Sequence, residues 1–287
     1  MNIFEGLEKF GLDGQEVGDL FADNSKPKHA PEHDQHTEVK EPEEKDFLFT
    51  KTVRCVVCDQ LFSARVVRAS KARRLEPDKD LRPRFQYIDT LKYDILSCPH
   101  CGYTGMERYF THLSPVQIKL IREGVCARFK SKGEVVPDTY DYDTALDRYK
   151  LSLFNTIVKK GANSERAYTC LKMAGLCRGK AEMLDESDEA NAEALKKCRE
   201  EEMAYYEQAY EGMMKAIETE TIPICGMDQD TLDLLMAEMA FKLEKYDVAS
   251  KILGHLFSSK TANRNTMNRG VDLRQEIVDL IRSRQTR

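Results

Sequence analysis

The sequence predicts an α+β fold that is mostly α, with a small zinc-ribbon-like β head followed by a tetratricopeptide-like α-helical array. Two C-x-x-C pairs in the first half each lie beside a short run of strand-like alternation. After Leu113, apolar residues recur at helical spacing over most of the remaining chain. With 287 residues, 41% of them hydrophobic and 32% charged, the chain has the composition of a globular protein with one large domain or two modest ones.

Composition divides the chain into four segments. Residues 1–21 form a short amphipathic N-terminal segment in which glycines interrupt the apolar pattern. Residues 22–46 hold three prolines and almost no aliphatic bulk, which predicts a disordered linker. A zinc-ribbon-like domain is predicted over 47–112 and a helical repeat-like domain over 113–287.

The sequence also indicates in which cellular compartment the protein lies and whether it binds a membrane. No run of about 18 apolar residues occurs, and the N-terminus lacks the basic-then-apolar pattern of a signal peptide. The sequence therefore predicts a cytoplasmic protein with no membrane span and no membrane partner. In a reducing compartment, the nine cysteines are better explained by metal binding than by disulfides. The sequence leaves the oligomeric state open.

The strongest chemical signal is a set of four cysteines, Cys55, Cys58, Cys98 and Cys101. Thiolates in two C-x-x-C pairs can reach one Zn²⁺ at about 2.3 Å and complete a tetrahedron. Gly102 lets the chain turn sharply just past the second pair. Because four protein thiolates leave no open coordination position, we expect a structural Zn²⁺. The alternatives are buried or free thiols and a thioredoxin-like redox pair, which would require a βαβ context.

Strand-like alternation accompanies each cysteine pair. Phe62, Ala64 and Val66 follow the first pair, and a second run, Leu91, Tyr93 and Ile95, precedes the second pair. The intervening stretch, roughly 69–90, is charged and interrupted by prolines, which is typical of a long loop.

A basic cluster lies between the two cysteine pairs and has two interpretations. It could bind nucleic acid, or its charge could offset the formal charge of about −2 on a zinc centre with four thiolates. No aromatic residues interleave the basic ones for base stacking, which favours charge offset by Arg54, Arg65, Arg68 and Lys92. The candidate nucleic-acid-binding residues are Arg65, Arg68, Lys71, Arg73 and Arg74.

Four short segments together resemble the bacterial family catalogued as domain of unknown function 2225. They are 67–71 (VRASK), 78–80 (DKD), 83–85 (PRF) and 93–103 (YDILSCPHCGY), so the resemblance covers mainly 50–130. It implies a head with two cysteine knuckles and a helical remainder, and it implies no established activity. The first knuckle departs from the family pattern because it lacks the Pro and Gly often found there. Arg82 stands where a cysteine often precedes the proline, which argues against a further metal or redox role for the loop.

Helix signals follow one another after Leu113. A capping box with Pro at the first helical position, 114–117 (SPVQ), starts the first helix. Leu146, Tyr149, Leu153 and Ile157 predict one buried face of a second helix that stops at 159–161 (KKG). The remaining helices are predicted from Ser164 and over 189–218, 231–244, 247–258 and 271–283.

The segment 231–257 resembles a tetratricopeptide helix pair. Ala237 and Ala249 stand where that repeat places small residues for close packing, and Tyr246 occupies the turn position. One such unit is not stable alone, because these repeats need about three stacked neighbours. An ordinary irregular helical bundle is therefore the alternative.

The other five cysteines give no second metal signal. Cys126, Cys170 and Cys177 lie on apolar helix faces and are expected to be buried. Cys198 and Cys225 have no paired spacing, so no role follows for them.

No catalytic constellation accompanies the cysteines. Asp78 and Asp80 could act as catalytic carboxylates, but no general-base histidine, phosphate loop or nucleophile elbow goes with them, so no enzyme is expected. The predicted function is a zinc-binding adaptor whose helical half binds a protein or peptide. The alternatives are a nucleic-acid-binding regulator that uses the basic strand 65–74 and a thiol/zinc redox sensor.

Overall fold

Two small antiparallel sheets precede a helical array in the computed structural model, which describes residues 41–131, 133 and 136–285. The strands are β1 (Leu48–Arg54), β2 (Leu61–Val67), β3 (Ile95–Ser97) and β4 (Thr104–Met106). The helices are α1 (Glu107–Phe110), α2 (Pro115–Ile121), α3 (Tyr142–Val158), α4 (Asn163–Glu182), α5 (Ala192–Thr219), α6 (Gln229–Lys242), α7 (Tyr246–Ser258) and α8 (Arg264–Gln285). The predicted fold class is confirmed.

The first sheet is a hairpin whose turn carries the first cysteine pair. Val53 pairs with Phe62 and Lys51 pairs with Ala64 across the two antiparallel strands. Phe62 and Ala64 point into the core of the head, as their alternation predicts. Because Cys55 follows β1 directly, the hairpin register determines where its thiol lies.

The predicted strand over Leu91, Tyr93 and Ile95 is wrong in its first part. Thr90–Tyr93 is a 3-10 turn, because the carboxylate of Asp89 accepts a hydrogen bond from the backbone N–H of Leu91. Leu91 and Tyr93 are buried, but the strand β3 begins only at Ile95. Over five residues, alternation of apolar and polar side chains is compatible with either a strand or a tight turn, so the pattern alone cannot distinguish them.

The capping box at the start of α2 is confirmed. The Ser114 hydroxyl accepts from the backbone N–H of Gln117, and the Gln117 side chain accepts from the backbone N–H of Ser114. Pro115 occupies the first helical position. Beyond α2, a π-helical turn over Arg122–Cys126 brings Val125 into the core of the head.

Helix α3 packs on the second sheet. Its Leu146 and Tyr149 belong to a core cluster that also includes Ile95 and Met106 from β3 and β4. Ile157, predicted on the same buried face, is 54% exposed, so the buried stripe ends before it. The head and the helical array therefore share a core at this contact.

The remaining helices form the array. Helices α4 and α5 pack closely, since a Cβ at Gly212 would lie 2.9 Å from the Cβ of Ala167. Ala237 of α6 and Ala249 of α7 are both fully buried. Helix α8 begins at Arg264, earlier than the predicted 271, because the Asn263 side chain accepts from the backbone N–H of Thr266 and so caps the helix.

The predicted N-terminal segments lie almost wholly outside the described residues. Of the predicted linker 22–46, only 41–46 are described, and Glu44–Phe47 form a 3-10 turn. The predicted boundaries between the four segments stay predictions. No helix in the described part of the chain has the length and apolarity needed to cross a membrane.

The loop between β2 and β3 is joined to the array by buried ion pairs. Arg178 of α4 donates to Asp78 at 2.8 Å, to Asp80 at 2.5 Å and to Glu202 of α5 at 2.9 Å. Arg82 is 6% exposed and donates to Asp89 at 2.8 Å and to Glu182. Both aspartates proposed as possible catalytic groups therefore hold the loop on the helices.

Two glycines of α4 make room for the Arg82 side chain. A Cβ at Gly179 would lie 2.5 Å from the Arg82 guanidinium, and a Cβ at Gly175 would lie 3.2 Å from Arg82 Cδ and 3.0 Å from Leu91. Because these two positions carry no side chain, the long side chain of Arg82 can lie directly against the backbone of α4.

We expect Arg178→Ala to lower the free energy of unfolding by about 3 kcal/mol or more, because it leaves the buried carboxylate of Asp80 without its ion-pair partner and removes a cation that Asp78 and Glu202 also share. The matched control is Arg199→Ala, since Arg199 pairs with Glu186 at an exposed site and should contribute less than about 1 kcal/mol. Urea denaturation followed by circular dichroism measures both. Equal losses in the two variants would contradict a structural role for the network.

Candidate metal centre

The four predicted cysteines form one cluster. The Sγ atoms of Cys55 and Cys101 lie 3.7 Å apart and those of Cys58 and Cys98 lie 3.6 Å apart, with all four within 4.8 Å of one another. A tetrahedron of sulfurs at about 2.3 Å from a central zinc has edges of about 3.8 Å. Cys55 and Cys98 are fully buried and Cys58 is half-buried. The distances therefore fit a four-thiolate metal site.

The two cysteine pairs lie on turns with the same backbone hydrogen bonds. In the first turn, the Cys55 N–H donates to Gln60 O at 2.9 Å and the Cys55 carbonyl accepts from Asp59 N at 2.8 Å. In the second, Cys98 makes the equivalent bonds, to Tyr103 O at 2.9 Å and from Gly102 N at 3.0 Å. Both pairs thus present their thiols from the same type of knuckle.

The first knuckle reaches this geometry without glycine. Asp59 has φ 64° and Gly102 has φ 76°, so each knuckle needs a left-handed residue at the same place. Aspartate is one of the few non-glycine residues that tolerates this region, and its carboxylate pairs with Arg54 at 3.2 Å. The departure from the family pattern therefore leaves the geometry of the site intact.

Side chains from the helical part support both knuckles. Arg122 donates to Val57 O at 2.7 Å through Nη2, and Asn155 of α3 donates to Gly102 O at 3.2 Å. A Cβ on Gly102 would collide with the ring of Phe129, so the knuckle and this ring are in close contact. Contacts between residues so far apart along the chain leave no local pattern, so the sequence did not point to Arg122, Asn155 or Phe129.

The thiols of the cluster affect one another's protonation. Hydrogen bonds from Cys101 and Cys55 lower the pKa of Cys98, and hydrogen bonds with Cys55 and Cys98 raise the pKa of Cys101. Cys98 is therefore the thiol of this pair that ionises more readily, and the thiolate is the form in which a cysteine binds a metal ion.

A fifth cysteine lies beside the cluster. Cys126, at the end of the π turn, packs against the core of the head, to which Cys101 also belongs. It is half-buried, whereas the apolar helix pattern predicts burial alone. Burial raises the pKa of its thiol, so it lies next to the four-thiol set as a neutral neighbour.

The other cysteines lie elsewhere, and three of the four are buried. Burial raises the pKa of Cys170 to about 11 and that of Cys177 to about 12. Cys198 is also buried, and Cys225 is half-buried with its thiol donating to Ser164 O at 3.4 Å. Among residues 41–131, 133 and 136–285, the four-cysteine cluster is the one group of three or more metal-binding side chains placed to share an ion.

The basic cluster divides into bound and free side chains. Arg65 donates to Asp138 at 2.7 Å and Arg68 donates to Leu48 O at 2.9 Å. Lys71, Arg73 and Arg74 are exposed, and no carboxylate of the described residues pairs with them. The contacts of Arg65 and Arg68 are thus with oxygens of the fold and not with the thiols.

Three of the four residues proposed to offset charge near the site, Arg54, Arg65 and Lys92, have carboxylate partners of their own. Lys92 pairs with Glu44 at 2.6 Å and Arg54 pairs with Asp59. The hydrogen bonds of Arg122 and Asn155 are the contacts by which the helical part reaches the knuckles.

Together, the fold and the site define a protein whose four-thiol head is compatible with metal binding and is built onto a helical array. The sequence model of the family described as "Uncharacterized protein conserved in bacteria (DUF2225)" matches residues 48–285. The chain belongs to this family, and the match takes in the helical array as well as the head. No curated protein and no solved structure matches the chain.

We expect Cys98→Ser to abolish metal binding and to unfold the head, because structural sites of this kind contribute about 10 kcal/mol or more of apparent binding free energy. Cys170→Ser is the control, since Cys170 is a buried cysteine of α4 outside the cluster. Elemental analysis of the purified full chain and thermal denaturation with and without chelator measure both effects. Wild-type protein without metal, or with unchanged melting in chelator, would contradict the site.

Proposed function

We propose that this protein is a zinc-stabilised adaptor: a structural Zn²⁺ holds the head, and the helical array binds a protein or peptide partner. The donor set supports the metal. Tetrahedral four-sulfur sites suit zinc or iron–sulfur chemistry, and a closed four-thiolate zinc site has no open position for a substrate. When bound, the ion would hold the two knuckles together, while Arg122 and Asn155 orient their backbones.

The observation that carries the adaptor proposal is a groove on the helical array, here called the loop groove. The segment 76–84 forms one wall, and α4, α5 and α6 form the others, around a volume of about 690 Å³. Its lining residues are Glu76, Pro77, Asp78, Lys79, Asp80, Arg84, Arg178, Tyr206, Glu238, Phe241 and Lys242. The groove is large enough for several side chains of a peptide.

The chemistry of the loop groove favours binding over catalysis. Its lining contains no serine, threonine, cysteine or histidine, so the usual nucleophile and base pairs are not present among the lining residues. Arg178 engages both Asp78 and Asp80, the two aspartates that the sequence singles out as possible catalytic groups. We therefore propose that the groove recognises a partner and does not transform it.

A second candidate function, nucleic-acid binding, is favoured by one observation. Phe49 of β1 lies beside Arg68, whose guanidinium is 5.5 Å from the ring centre, and both line a surface depression with Lys71. An aromatic ring among basic side chains is the combination used for base stacking. The structure thus supplies an aromatic residue that the linear sequence of the basic cluster lacks.

The adaptor proposal is tested with two charge reversals in the full chain. Glu76→Arg changes an exposed residue of the loop groove, and Glu207→Arg changes an exposed residue of α5 outside it. We expect a partner captured from native cells to be lost with Glu76→Arg and retained with Glu207→Arg. Cross-links from that partner should fall on Lys79 or Lys242, which line the groove.

The same experiment separates the two candidate functions. Nuclease treatment should leave the captured protein bound, and replacing Lys71, Arg73 and Arg74 with glutamate should not affect it. If instead binding to RNA or DNA is recovered, falls steeply with salt and disappears in the triple variant, the nucleic-acid candidate replaces the adaptor. Equal capture of the partner by Glu76→Arg and Glu207→Arg would rule out the loop groove as the binding surface.

A further inference from the structure

Glu238 of α6 has a buried carboxylate without a partner. It is 5% exposed and lines the loop groove. Within the described part of the chain, no hydrogen bond or ion pair reaches its carboxylate, and its pKa is set by burial and by charges at a distance. Buried polar groups are normally hydrogen-bonded, so an unpaired one calls for an explanation.

The other buried acids of the described residues differ from Glu238, because each accepts a hydrogen bond from another side chain. Asp80 and Glu202 accept from Arg178, and Glu165 accepts from Lys159 at 2.7 Å. Asp230 accepts from Thr261 at 2.7 Å, and Asp233 accepts from Gln229 at 2.6 Å. Glu238 is therefore the exception in a fold that pairs its buried carboxylates.

The basic side chains of the groove are already paired with other carboxylates. Lys79 binds Glu276 of α8 at 2.5 Å, and Lys242 binds Glu202. Arg84 binds Glu182 at 2.5 Å, and Arg178 holds the aspartates of the loop. The groove therefore contains cations, but it offers none to Glu238.

The charges around Glu238 come from the loop and from α8. Burial raises the pKa of Glu238 to about 7, Lys79 and Arg269 oppose this, and Glu276 and Asp80 add to it. Arg269 is committed to the carbonyls of Asp78 and Lys79, at 3.1 and 2.6 Å. Near neutral pH the carboxyl is thus divided between its protonated and ionised forms, and a bound cation would favour the ionised form.

We propose that the loop groove binds an organic cation, a primary ammonium or guanidinium group, with the carboxylate of Glu238 as its counterion. Phe241 lines the groove close to Glu238 and offers apolar surface for the stem of a lysine, arginine or polyamine. A metal ion fits less well, because Glu238 is in no described group of side chains placed to share one. The cation site itself does not rest on the proposed adaptor function. The identification of the cation as a side chain of a partner peptide does rest on it.

The test is an NMR titration of the full chain with carboxyl-labelled glutamate, in which Glu238→Gln assigns the Glu238 resonance. The probes are acetyl-Gly-Arg-Gly-amide, the same peptide with lysine or with uncharged norleucine, and spermidine. We expect the arginine and lysine peptides to shift the resonance and to lower the pKa of Glu238, so that affinity rises with pH through about 7. Glu238→Gln should weaken their binding by about tenfold or more, and Glu207→Gln should not.

Each outcome decides a different point. Binding of spermidine but of neither charged peptide, with dependence on Glu238, would support the cation site and overturn a peptide as its source. Equal binding of the norleucine peptide, unchanged affinity in Glu238→Gln, or no binding of any probe would overturn the cation site. Because the wild-type titration follows the carboxyl directly, the result does not depend on the stability of the variant. Loss of partner capture in Glu76→Arg remains a separate observation on the adaptor function.

Discussion

The ion pairs of Arg178 are the interaction on which the placement of the loop against the helical array depends. The guanidinium binds two aspartates of the loop and a glutamate of α5 at once, so one side chain of α4 joins three parts of the chain. Buried ion pairs of this kind carry a large desolvation cost and are stable only when the surrounding hydrogen bonds are complete. Arg84 adds to these ion pairs by binding both Asp78 and Glu182. The charged loop thereby takes a fixed position as one wall of the loop groove.

The head is held together by two different means. The knuckles share a backbone turn that brings the thiols to tetrahedral spacing, and the helical part clamps that turn through Arg122 and Asn155. A bound metal would therefore not organise the site alone. Tyr149 of α3 also packs in one apolar cluster with Ile95 and Met106 of the second sheet. The helices therefore support the strands of the head as well as its knuckles.

Local signals in the sequence account for much of this structure. The four cysteines, the capping box before α2 and the apolar periodicity of α3 each act over a few residues, and the structure brings the cysteines together as expected. The 3-10 turn at Thr90–Tyr93 was missed because one side-chain cap, from Asp89, outweighs the strand-like alternation. A competing local hydrogen bond has no periodicity by which a pattern could reveal it.

The loop groove and its charges could not be predicted for a different reason. Arg178 and Asp80 are 98 positions apart along the chain, and either residue alone reads as an ordinary exposed charge. Only the packing of α4, α5 and α6 makes these charges buried and leaves Glu238 unpaired. The pairing of charges is thus a property of the tertiary fold, whereas the four cysteines of the cluster are visible in the sequence as two short motifs.

Gly175 and Gly179 of α4 constrain which side chain can stand at position 82, and the side chain at 82 constrains them. Gly175 and Gly179 leave space that the side chain of Arg82 fills, and a methyl group at either position would press against it. With a shorter side chain such as cysteine in place of Arg82, most of that space would be empty, and an unfilled cavity is costly. Larger residues at 175 and 179 would then be favoured. We therefore expect the residues at positions 82, 175 and 179 to vary together across the family. A smaller side chain in the loop should be accompanied by larger side chains on the helix.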